Sequence, residues 1–418
     1  MYNPALRFFC PPSRWPVARR LLVCATAMGV VAQFVCCDTH PSTNDIDNVE
    51  QVETCCDGGQ LDAVEKVVDV VTNNADATPI EFADVVIDRA DAIPIEFLPT
   101  NKKVPVVGDT CCLSVTKGGL LWAADGDIYE YSWVTGVTRL YIDDPGEQTE
   151  PVSDGDWLAW TDLRSGDRDV WVRHVPTGMT RVFAGGPGDQ HSPDLSQGWL
   201  TWVGSDDPPF GPEQAEIWVS KLGDDSIKIR LTADDAEQQL PQISGDRVVF
   251  ADFSNDPDKK YIDGVLPEEN NGDIRGIIVS TRSAFDVIVD PAKQIRPAID
   301  GDLVSWLDWR GITPEPKFVS LNVVIKNLVT GEEKMLAKTS WPSPSWWIRP
   351  AISGQRVAWV GSVDGDGALW LRVADSRGPI VDVAQVGWPM GGIVLVSDHV
   401  GWLSDGNLTI SAIEMQKQ

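Results

Sequence analysis

The chain has 418 residues, 62 of them acidic and 34 basic, for a formal charge of -28. A surface this acidic repels phosphate backbones, which excludes nucleic acid as a partner and leaves cations, basic protein patches and neutral glycans. Tryptophan is abundant at 18 residues, whereas methionine (6) and histidine (4) are scarce.

The chain opens with RWPVARR and the apolar run Leu21 to Val35. Positive charge ahead of an apolar stretch too short to span a membrane has the form of an export signal, so residues 1–35 are expected to direct the protein to a bacterial periplasm, outer membrane or cell surface. Two processing routes fit. Val30 and Ala32 have the spacing for cleavage before Gln33, while Cys36 is a candidate lipidation site that would tether the protein to a membrane. Val35 and Phe34 stand against the second route, because a lipobox has small residues there. All eight cysteines lie at or before position 112, six of them as the pairs Cys36/Cys37, Cys55/Cys56 and Cys111/Cys112. An exported chain can oxidise them, in a pairing the spacing does not fix. No matched CxxC pairs occur, so zinc is not expected.

Residues 36–102 are acidic and poor in aromatics, with ADATPIEF (Ala75 to Phe82) echoed as ADAIPIEF (Ala90 to Phe97). Such a segment has little apolar surface to offset chain entropy, so a largely disordered tether is expected, with Leu61 to Val71 as a candidate short helix.

Beyond it one phrase recurs: LSVTKGGLLW, EPVSDGDWLAW, SPDLSQGWLTW, LPQISGDRVVF, RPAIDGDLVSW, RPAISGQRVAW and LVSDHVGWL. The units begin at Leu113, Pro151, Pro193, Pro241, Pro297, Pro350 and Val394, at the spacing of four-stranded propeller blades. In the fifth unit the innermost strand is expected at Arg296 to Ile299 and the second at Leu303 to Leu307. The third is placed at Ser320 to Leu328 and the outer at Glu333 to Ala337. The seventh unit has strands near Ile393 to Val396, Val400 to Leu403 and Asn407 to Ile413, and no outer one. The stretch KVPVV (Lys103 to Val107) is expected to fill that place and close the ring. The predicted fold is therefore all-β, a seven-bladed propeller over residues 103–418, with six blades as the alternative should the weak first unit not form one.

The units, with third strands such as DGDIYEYSW, DRDVWVRHV, AEIWVSKL and GALWLRV, resemble those of TolB-like propellers across Leu113 to Ile413. The resemblance implies the fold and leaves the role open, since such propellers serve many. The chain departs from TolB itself in having a tether where that protein carries a folded α/β domain.

Aromatics at a repeated position, Trp122, Trp160, Trp202, Phe250, Trp306, Trp359 and Trp402 on second strands and Trp171, Trp218 and Trp370 on third strands, are expected to pack blade against blade. The excess length of units three to five falls at Gly204 to Ala215, Asp252 to Gly272, Asp308 to Val319 and Lys338 to Arg349. In an antiparallel blade these all emerge on one rim. They carry Phe210, Phe253, Tyr261, Trp309, Trp341, Trp346 and Trp347. Exposed there, the rings would bind an envelope protein or a glycan; folded over blade ends, they would only pack. DFSNDPD (Asp252 to Asp258) and the pair Asp364 and Asp366 offer oxygen ligands of the kind calcium takes, without a complete loop motif, so neither a metal nor another cofactor is expected. GxSxG, HExxH and phosphate-loop motifs are absent, and His174, His191 and His399 lie in different units. The sequence thus reads as a monomeric, non-enzymatic binding module. The alternative is a propeller-fold polysaccharide hydrolase or lyase using His191 and rim carboxylates.

Overall fold

The computed structural model describes residues 102–106, 108–205, 215–223, 227–261, 271–312, 319–341, 348–362, 368–376, 378–387 and 390–413. Among them lie twenty-eight strands and no helix, arranged as seven four-stranded antiparallel sheets. Strand β1 (Lys102–Pro105) comes first. Blade one is β2 (Thr110–Val115), β3 (Gly119–Ala124), β4 (Asp127–Ser132) and β5 (Thr138–Ile142). Blade two is β6 (Gln148–Asp154), β7 (Trp157–Asp162), β8 (Asp169–His174) and β9 (Met179–Ala184). Blade three is β10 (Gln190–Ser196), β11 (Trp199–Ser205), β12 (Ala215–Lys221) and β13 (Lys228–Arg230). Blade four is β14 (Gln238–Ser244), β15 (Arg247–Asp252), β16 (Asp273–Ile278) and β17 (Ser283–Ile288). Blade five is β18 (Gln294–Asp300), β19 (Leu303–Asp308), β20 (Val319–Asn327) and β21 (Glu333–Trp341). Blade six is β22 (Ala351–Ser353), β23 (Arg356–Gly361), β24 (Leu369–Asp375) and β25 (Ile380–Val386). Blade seven is β26 (Met390–Val396), β27 (His399–Ser404), β28 (Asn407–Ala412) and the returning β1.

Blade seven is completed as the sequence predicted. Lys102 pairs with Ile410 and Val104 with Leu408, and the Val106 N–H donates to Gly406 O at 3.0 Å. Each innermost strand touches the next, and β26 touches β2, so the ring is closed and no blade face is left open.

The seven second-strand aromatics are the reason the blades stack. Each sits where its sheet meets a neighbour, and none is more than 6% exposed. The rings of Trp122 and Tyr129, Trp160 and Trp171, and Trp202 and Trp218 stack across the second and third strands at 6.0, 6.5 and 6.2 Å. Trp370 does not share that position: it faces Gly361, and Arg372 stands opposite Trp359.

Turns between first and second strands tie one blade to the next. The glycine N–H groups of Gly198, Gly245, Gly301 and Gly354 donate to Asp154, Ser196, Ser244 and Asp300, each on the preceding blade. The Ser or Asp that closes an innermost strand is therefore an inter-blade clamp as well as a turn former. These glycines have φ between 55° and 72°, which only glycine adopts without strain.

Three expectations are corrected. The innermost strand of unit five is longer than expected: β18 starts two residues before Arg296 and runs to Asp300, with Pro297 inside it. Strand β21 runs on to Trp341, so Lys338 onward is partly strand instead of connection. In blade seven Ile393, not Val394, pairs with the repeated aromatic Trp402, because the strand irregularity falls one residue earlier, at Gly391.

Candidate functional site

The repeated proline marks a bulge. In β6, Thr149 pairs with Thr161 and Val152 with Ala159, so Glu150 and Pro151 together face the single residue Trp160. By the same register Cys112–Leu113 face Trp122, Ser192–Pro193 face Trp202, Leu240–Pro241 face Phe250 and Arg296–Pro297 face Trp306. Two residues against one is the definition of a bulge, and proline is tolerated there because no ladder N–H is needed. The first residue of each of these five pairs takes up the extra length in the left-handed region, with φ of 63°, 53°, 52°, 59° and 56° at Cys112, Glu150, Ser192, Leu240 and Arg296. For non-glycine residues that conformation is unfavourable by about 1 kcal/mol each, so the packing of the aromatic holds it in place.

These residues line a central cavity of about 1120 Å³. With Arg349 and Gly392 from blades six and seven, one channel position reads Cys, Glu, Ser, Leu, Arg, Arg, Gly around the ring. The buried side of the bulge is constant and the channel side is not, so what the ring can recognise is written at this level.

Between blades two and three the channel wall holds a hydrogen-bonded cluster. Glu150 Oε2 accepts from Thr161 Oγ1 and from the Ser192 N–H, both at 2.7 Å, and Oε1 accepts from Ser192 Oγ at 3.1 Å. His191 Nδ1 lies 3.0 Å from that same hydroxyl. Ser192 has one proton, which the carboxylate takes, so Nδ1–H is the donor toward Ser192 Oγ. Burial drives the His191 pKa down to about 4, with Arg168 adding to the effect while Glu150 and Asp189 oppose it. The imidazole is neutral at pH 7. Burial works against the Glu150 charge, yet His191, Thr161 and Ser192 together hold its carboxyl below the usual range.

Across the channel stand Arg296 and Arg349. Burial, then the Arg296 charge, lowers the Arg349 pKa to about 10, with Asp194, Glu150 and Tyr261 pulling the other way. Cys111 and Cys112 also line the cavity as free thiols. The Cys112 thiol is pushed well up by its hydrogen bond with Cys111 and by burial, which keeps it protonated.

The insertion aromatics divide. Phe253 and Trp309 are buried, the first against Tyr261 with ring centroids 5.3 Å apart, the second under Lys293, whose Nζ lies 5.8 Å from the ring. For these two the packing alternative describes the side chains. Tyr261 is half-buried on the same core. Phe210, Trp346, Trp347 and the side chain of Trp341 lie outside the described residues, as do Cys36 and the pair Asp364 and Asp366. In the stretch Asp252 to Asp258 the carboxylates cap their own loop: Asp252 accepts from the Ser254 N–H, Asp256 from Asp258 and Asp258 from Lys260, each at 3.1 Å. Among the described residues no three His, Cys, Asp or Glu side chains converge as a metal set.

No family model matches the sequence, and no curated protein matches it. Solved structures do match in fold. Puromycin hydrolase aligns with a TM-score of 0.54 at 15% identity, over 71% of this chain and 50% of that one. The WD40 repeats of RRP9 align at 0.51 and 14% identity, over 75% and 98%. A putative TolB from Agrobacterium tumefaciens aligns at 0.44 and 14% identity, over 66% and 91%. The chain is thus similar to β-propellers of several kinds, TolB among them, and what they share with it is the architecture.

Proposed function

We propose that this protein is an exported, non-enzymatic binding module of the bacterial cell envelope, which recognises a protein or glycan partner at the loop-rich end and central channel of the propeller. The observation that carries this reading is the channel ring. Seven equivalent positions hold six side chains of mixed chemistry and one glycine around one open cavity, on a frame fixed by buried aromatics. Variable groups on a rigid scaffold are what recognition requires.

The Glu150–Ser192–His191 cluster supports binding over hydrolysis. A serine nucleophile needs a base that takes its proton, with the base itself oriented by a third group. Here the hydroxyl lies between the carboxylate and the imidazole, the imidazole donates toward it, and Glu150 is a weak base already filled by three hydrogen bonds. The cluster locks blade two to blade three. The test is equilibrium binding of the full-length protein to panels of envelope peptides and glycans. Saturable retention of one class, with the retained ligand recovered intact, is expected. Recovery of cleaved ligand would reject the reading.

A further inference from the structure

Two carboxylates on the channel wall, Glu150 and Asp194, are already engaged in hydrogen bonds. Glu150 is filled by Thr161 and Ser192, and Asp194 Oδ2 accepts the Ile243 N–H at 2.8 Å. Arg349 makes no hydrogen bond to any described residue, and its Nε is buried without a partner. It stands beside Arg296, close enough for the two charges to oppose each other, in a chain whose net charge is -28. Buried cations are normally paired, because an uncompensated one costs stability. Two guanidiniums side by side on a channel wall, one with unused donors, make a fork suited to a planar oxyanion.

The surroundings narrow the ligand. Glu150 and Asp194 line the same cavity, so a second negative charge on the ligand would be repelled and a monoanion fits better than phosphate. Leu240, Ile348, Pro350 and Met390 line the cavity too, from blade four, from the approach to blade six and from the start of β26. An apolar group attached to the anion would be buried against them. We propose that Arg349 and Arg296 form a receptor inside the channel for a single carboxylate carried on an apolar carbon chain. This rests on the binding-module reading. A short aliphatic acid and the C-terminus of a peptide ending in an aliphatic residue present the same chemistry.

Thermal unfolding of the full-length protein tests it, at fixed ionic strength, in 4-methylpentanoate, N-acetyl-leucine, N-acetyl-leucinamide, glucuronate and chloride. Both apolar carboxylates are expected to raise the Tm over chloride, and the neutral amide is not. The stronger of the two identifies the source as free acid or peptide end. Glucuronate acting as strongly as either overturns the apolar part of the site. Without ligand, Arg349→Met should unfold ~1–3 °C above wild type, since an unpaired charge is gone, and should lose the carboxylate response. Affinity for the better acid should fall at least ~10-fold. A variant less stable than wild type, or one that keeps the response, overturns the proposal. In wild type, arginine Nε–H resonances should move on titration with 4-methylpentanoate, and unmoved resonances overturn it as well. If every carboxylate fails while the protein still retains a panel ligand, the carboxylate site is wrong and the binding module stands.

Discussion

Glu150 is the residue at which a structural and a catalytic role make opposite demands. Its carboxylate accepts three hydrogen bonds, two at 2.7 Å and one at 3.1 Å, and two of the donors belong to the next blade. Glu150→Ala strands the Thr161 hydroxyl and the Ser192 N–H and O–H beside the channel. Burial already opposes the charge, so the lower value for a hydrogen bond, ~1 kcal/mol, applies to each, and the sum is a loss of ~3 kcal/mol. Glu150→Gln keeps the outline: its oxygen can accept from Thr161 and the Ser192 N–H while its NH2 group donates to Ser192 Oγ. Only charge assistance is lost, ~1 kcal/mol. Urea unfolding followed by tryptophan fluorescence reads both variants. Gln as costly as Ala, or Ala costing under ~1 kcal/mol, would refute the clamp.

The other predictions concern the frame and its pH response. Asp162 is fully buried and accepts from Trp160 Nε1 at 2.9 Å and from the Arg164 N–H and Nε at 2.9 and 2.8 Å, an arrangement blade five repeats with Trp306, Asp308 and Arg310. Asp162→Ala should cost ~3–5 kcal/mol by urea unfolding, and Asp308→Ala a similar amount. The Phe285 ring covers Gly276, its cross-strand partner, and a Cβ there would come within 2.3 Å of the ring, so Gly276→Ala should lower the Tm by several degrees. The His191 pKa is depressed to about 4, so below pH 6.5 the unfolded chain takes the proton first. Stability should therefore fall by at most ~3 kcal/mol as pH drops from 6.5 to 4, and His191→Gln should flatten that limb of the urea midpoint against pH. Glu150, held low, acts in the same direction: its contribution is present above the usual carboxylate range and is lost as pH falls through its own lower value.

Repetition made the frame legible. Trp160 could be assigned to the core because six other units place an aromatic there, and KVPVV could be assigned to blade seven because that unit lacked an outer strand. Repetition also misled where it was read too coarsely. Phe253 and Trp309 were grouped with the insertions, yet each directly follows the aspartate that ends its second strand, as Leu163 does in blade two. Their N–H groups bond equivalently, to Glu237 O and Lys293 O as Leu163 does to Glu147 O. The motif of aromatic, any residue, Asp, then apolar residue was present in WTDL, FADF and WLDW, and its last position is buried at Phe253 and Trp309 and half-buried at Leu163. The channel ring was hidden for a different reason. A bulge is a matter of pairing register, and neither alternation nor turn chemistry shows that the residue before a proline turns toward the axis. Only the recurrence of proline four or five residues before the glycine of each turn hinted at it.

Binding without chemistry is the central claim, and mass-spectrometric product analysis under single-turnover conditions tests it most directly. Wild-type full-length protein in excess over each retained ligand should return that ligand unchanged, and His191→Ala and Ser192→Ala should give the same result. Product formed by wild type and lost in either variant would contradict the account and make the Glu150–Ser192–His191 cluster an active site.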